Sequence, residues 1–167
     1  MSSESALDLL ERFAEIEWLV AKIYFRFSHL FLDRPELRDF WWDMAHEEEQ
    51  HGSILSACRT LIGKDKLERL ELDVTREKAE ELKRWLRSYL SRGTPSLGVD
   101  EAFRIALEIE GSEVNTIYNK LLHAAGLGGA QIVESLGIPV HVQTQKLKVA
   151  IHRFCADPGL LETAQRL

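Results

Sequence analysis

A helical stripe of large apolar residues, interrupted at its middle by an acid and an imidazole, constrains this chain more than any other feature. Steps of four and three residues from Leu37 pass through Trp41, Met44, Glu48, His51, Leu55, Cys58 and Ile62. That spacing puts all of these side chains on one face of an α-helix. A face this apolar has to be buried, and Glu48 and His51 go inside with it. A buried carboxylate without a partner costs several kcal/mol, so it must hold a proton, meet a cation or ligate a metal.

The same pattern recurs. A first helix is expected over residues 5–32, with Leu10, Phe13, Glu17, Val20, Tyr24, Phe27 and Phe31 inward. Asp33 and Pro35 then supply an N-cap and a first-turn proline for the helix that carries the opening stripe, which ends at Gly63. Residues 64–74 are charged and aperiodic. Thr75 caps a shorter helix to about Arg92, with Ala79, Leu82, Leu86 and Tyr89 on one face. The stretch Gly93-Thr-Pro-Ser-Leu-Gly98 is a loop by its turn chemistry. A third long helix is expected from Val99 to Ala125, with Phe103, Leu107, Glu110, Val114, Ile117 and Leu121 inward, ending at Gly126-Leu-Gly-Gly129. A fourth runs from Pro139 to Phe154, with Val140, Thr144, Leu147, Ile151 and Phe154 as its stripe. These elements predict an all-α chain forming a single domain over residues 1–167. The architecture expected is an antiparallel four-helix bundle, with the extra helix lying in the long crossover between helices 2 and 3.

Composition narrows the function classes. A formal charge of −6 disfavours nucleic acid and anionic membrane surfaces as partners. No run approaches the roughly 18 apolar residues of a membrane span, and the N-terminus lacks the basic-then-apolar pattern of a signal peptide. The two cysteines, Cys58 and Cys155, form no Cys-x-x-Cys pair and read as reduced thiols, so a cytoplasmic location is expected. Trp18, Trp41 and Trp42 give helices 1 and 2 more aromatic surface than one core stripe uses, which predicts a homodimer through those helices.

A short internal repeat accompanies the helices. Glu15-Ile-Glu17, Tyr24 and His29 of the first are echoed by Glu108-Ile-Glu110, Tyr118 and His123 of the third. The tyrosine-to-histidine step is identical; the glutamate-to-tyrosine step is one residue longer in the third helix, an insertion that a π-bulge would absorb.

Glu17, Glu48, His51 and Glu110 all interrupt core stripes near the midpoints of their helices, so they are expected to meet at one level. Carboxylate and imidazole without thiolate suit iron or manganese, and also zinc. Glu-x-x-His spans one helical turn and lets both side chains reach one ion. Tyr24, two turns from Glu17, is placed to support the ligands by hydrogen bonding, and Tyr118 is its counterpart by the repeat. Glu15, Glu47, Glu49 and Glu108 read as solvated helix faces, and Glu113 as a reserve carboxylate one turn from Glu110. His46, His29, His123 and His152 read as surface or interhelical groups. Lys146 and Lys148 read as solvent-facing, or one of them as an inward charge neutralising the acids.

On Glu17 with Tyr24, Ala45-His-Glu-Glu-Glu-Gln-His51, and Glu101-Ala-Phe-Arg-Ile-Ala-Leu-Glu-Ile-Glu110 with Tyr118, the chain resembles the ferritin-like superfamily, in particular its rubrerythrin-like branch without a rubredoxin domain. The resemblance implies a carboxylate-bridged iron or di-iron centre and oxidoreductase activity on peroxide or oxygen, with electrons from a separate donor. It implies Glu17 and Glu110 as single glutamates and Glu48 with His51 as one of two Glu-x-x-His pairs. The fourth helix departs from this template, since no Glu-x-x-His follows Glu110. The step of 31 residues from Glu17 to Glu48, repeated from Glu110, lands on His141, with Thr144 in the second position. His141 is thus either a fifth ligand or a surface histidine at a helix end. The alternative to a di-iron oxidoreductase is a degenerate bundle holding one metal or none, in a sensing or structural role.

Overall fold

The computed structural model describes residues 6–61, 76–92, 97–124 and 140–167. Among these the chain is all-helical, with no strand: α1 (Ala6–Leu30), α2 (Pro35–Leu61), α3 (Arg76–Ser91), α4 (Val99–Glu110), α5 (Glu113–Ala124), α6 (Val140–Phe154) and α7 (Pro158–Ala164). The expected features at Ile62, Gly63, residues 64–74, Thr75, residues 93–96, Gly126–Gly129 and Pro139 lie outside the described residues, as does the side chain of Leu121.

α1 and α2 form a helical hairpin, the most extensive helix pair among the described residues. Its turn is tight: Arg34 N donates to Phe31 O at 3.0 Å, and the first α2 bond runs from Arg38 N to Arg34 O, also at 3.0 Å. Pro35 opens α2, where its missing N–H costs nothing. Every expected inward residue of α1 is buried, from Leu10 through Glu17 and Tyr24 to Phe31, and so is every described member of the opening stripe, Leu37 to Cys58. Each large side chain taken fully from water contributes about 1.5–3 kcal/mol. Trp41 anchors the centre, its ring 5.5 Å from Tyr24, 5.0 Å from Phe27 and 4.7 Å from Phe103.

α3 lies along α1 through Ala79, Leu82 and Leu86, with Tyr89 partly buried. Arg26 holds the end of α3 by donating to the carbonyls of Tyr89 (3.3 Å) and Leu90 (2.7 Å). Lys83 is buried and pairs with Glu15, while Tyr89 Oη donates to Glu108 at 2.6 Å. The two repeat-related glutamates, Glu15 and Glu108, therefore both meet α3.

The expected third helix is broken. α4 stops at Gly111, whose N–H donates to Leu107 O at 2.9 Å, and Ser112 caps α5 by accepting from Val114 N at 3.3 Å. Glycine has a low helix propensity and a serine hydroxyl competes for backbone donors, so Gly-Ser favours a stop and a restart over continuation. The repeat's extra residue is absorbed by this break and not by a π-bulge. α7 has no counterpart among the expected helices. Asp157 caps it, accepting from Gly159 N at 2.9 Å, with Pro158 in the first turn and Leu160 and Ala164 buried.

Candidate metal centre

Four stripe-breaking residues are buried where α1, α2 and the end of α4 approach: Glu17, Glu48, His51 and Glu110. Three of them converge. One ligand atom each from Glu17, Glu48 and His51 lies within 4.8 Å of the others. Opposite ligands on a small divalent ion stand about 4.2 Å apart, given bonds of about 2.1 Å. The separations in this group are close to that spacing, so the three residues could hold a metal ion.

The glutamates have different surroundings. Among the described residues, no donor meets either oxygen of Glu17. What faces it is the Glu48 carboxylate, with which a hydrogen bond exists only if one of the two acids keeps a proton. Burial, and then the Glu48 charge, push the Glu17 carboxyl well above the ordinary carboxylate range. Glu48 accepts from the Gln143 amide on one oxygen, and its other oxygen lies 3.2 Å from His51 Nδ1. Glu110 is fully engaged: Tyr24 Oη donates to one oxygen at 2.6 Å and Asn115 Nδ2 to the other at 2.7 Å. Burial, then the Glu48 charge, still lift its carboxyl to about 7, against the lowering effect of Tyr24 and Asn115.

The tyrosines occupy supporting positions. Tyr24 is wholly buried, and burial followed by the Glu110 charge raises its phenol far above the usual range, which keeps it a neutral donor. Its acceptor is Glu110, not Glu17 on its own helix. Tyr118 packs its ring against His51, centroids 4.5 Å apart at 38°. Burial, then the Glu17 charge, likewise raises its phenol.

α6 corrects the expectation for the fourth helix. His141 is exposed in the first turn, on an open groove of about 670 Å³ between α2 and α6 that also includes Phe40 and Phe154. It is not in the converging group. The buried register is Gln143, Leu147, Ala150 and Ile151, while Thr144 is only half-buried. Gln143 is therefore the residue α6 sends to Glu48, and Lys146, one turn on, pairs with Glu47. Glu47 itself is buried, with 3% exposure, and not a solvated face as expected. A partner lysine makes that possible, although burial still outweighs Lys146 and raises the Glu47 carboxyl.

Glu49 is exposed and pairs with His46, and His29, His123 and His152 are exposed, as expected; Glu113, expected as a reserve carboxylate, is instead exposed beside Lys78. Among the described residues no helix is long and apolar enough to cross a membrane. Comparison of the chain with protein-family models, curated proteins and solved structures finds no match.

Proposed function

We propose that this chain is a metal-binding protein of the ferritin-like type, holding one ion of iron, manganese or zinc between Glu17, Glu48 and His51. In this reading α1, α2, the broken α4–α5 helix and α6 are the four helices of the bundle, and α3 is the crossover helix. The observation that carries it is Glu17, a buried acid with no donor on either oxygen among the described residues, pressed against a second acid. A chain gains nothing from such a pair unless something cationic joins it. The oxygen and nitrogen donors, with no thiolate among them, suit these three metals.

The surrounding residues have separable roles. Glu17 and Glu48 match the charge of a divalent ion, and His51 adds a neutral donor held by its contact with Tyr118. Tyr24 and Asn115 keep Glu110 in place beside the ion, with the phenolic proton directed at the carboxylate. Met44, Trp41 and Phe103 are fully buried in the same core. Bound iron supplies one-electron chemistry toward peroxide or oxygen, and the electrons come from a separate donor. The exposed indoles of Trp18 and Trp42, at 38% and 51%, support a homodimer through α1 and α2.

Protein purified without chelator and titrated with Fe(II), Mn(II) and Zn(II) tests this reading. One ion per chain is expected, with affinity falling at least tenfold in Glu17→Gln and in His51→Ala. A wild type that binds none of the three ions, or binding unchanged in both variants, overturns it. Peroxide oxidation of the Fe(II)-loaded protein, followed spectroscopically, tests the redox role separately.

A further inference from the structure

We infer that Gln143 and Lys146 of α6 limit the centre to a single ion, an inference that rests on the metal-binding reading above. Glu48 has two oxygens. One lies 3.2 Å from His51 Nδ1; the other accepts a hydrogen bond from Gln143. A second ion bridged through Glu48 has to bind at that other oxygen and collect further ligands from the side of α6. α6 offers no anionic ligand there. The Gln143 amide presents its N–H group to Glu48, and one turn later the Lys146 ammonium meets the buried Glu47. An ammonium has three donors and no lone pair, so it cannot ligate a cation and repels one.

The remaining carboxylate, Glu110, accepts hydrogen bonds on both oxygens and lies outside the converging group. Lys146 offsets Glu47, and one divalent ion offsets Glu17 with Glu48. Glutamine and lysine three residues apart thus stand where a carboxylate and an imidazole would create a second position, and the lysine adds a positive charge on that side.

The test is the number of ions bound per chain at saturating Mn(II), read by native mass spectrometry and calorimetric titration. The proteins are the wild type and the double variant Gln143→Glu with Lys146→His, with helicity checked by circular dichroism. One ion is expected in the wild type and two in the double variant. Two ions in the wild type, or one in a folded double variant, overturns the inference and leaves the metal-binding reading intact. No ion in the wild type removes that reading and the inference with it. Should the double variant not fold, Gln143→Glu alone, which hardly changes side-chain volume, is expected to bind a second ion at least tenfold more weakly than the first. A single ion there overturns the inference.

Discussion

Glu17 and Glu110 are repeat-related glutamates, yet one faces an acid with no donor and the other is held by a phenol and an amide. Opposite behaviour on substitution follows. Glu17→Gln removes a buried acid pressed against Glu48 without removing volume, so it should stabilise the metal-free protein by about 1–3 kcal/mol near neutral pH while weakening metal binding. Urea unfolding of metal-free wild type and variant checks the sign, and a destabilised variant contradicts it. For Glu110 the folded carboxyl titrates at about 7, raised from about 4.5, so the folded state keeps its proton over a range where the unfolded chain has lost it. Stability from this group is fully present below the unfolded value and is lost as pH rises toward 7. Between pH 5 and 7.5, metal-free wild type should lose on the order of 2 kcal/mol more than Glu110→Gln; parallel unfolding midpoints in the two proteins would refute this. The acids and the imidazole of the centre were legible because they break apolar stripes at helical spacing. Gln143 was not, because a neutral amide on a polar-rich helix breaks nothing. Glu47 escaped notice as a buried acid because its partner, Lys146, comes from 99 residues away.

At the level of elements, the inward faces of α1 and α2 could be read from spacing alone, since long uninterrupted helices give periodicity room to show. The third helix could not, because one apolar period runs across Gly111–Ser112 and hides the break. The caps carried that information: Ser112 and Asp157 each accept from a backbone N–H two residues on. Ser112→Ala should cost about 1 kcal/mol, read as a lower melting temperature with helix content retained; an unchanged melt would mean the cap contributes nothing. The short α6 left its register open, and counting residues from Glu110 selected His141, two positions before the buried Gln143. His141→Ala should therefore leave metal affinity unchanged within about twofold, whereas losing a true ligand costs about tenfold or more, or about 1.4 kcal/mol and upward. A large loss would place that imidazole in the centre after all.

For the whole molecule, the proposed metal binding makes folding and binding one linked equilibrium, with the acid cluster destabilising the metal-free fold and the cation stabilising it. Metal in excess should raise the melting temperature of the wild type, and at a hundredfold excess over the dissociation constant the gain is about 2.7 kcal/mol. Glu17→Gln should begin more stable and gain less, so the two melting curves approach each other as metal is added. Metal binding at the Glu17 carboxylate competes with its protonation, which burial and the Glu48 charge favour, so affinity should rise with pH. The most direct measurement is anomalous scattering at the metal edge from crystals of the protein grown with Mn(II) or Fe(II). A single peak bounded by Glu17, Glu48 and His51 is the predicted result. No peak within this group, or a peak in the groove beside His141, would contradict the account.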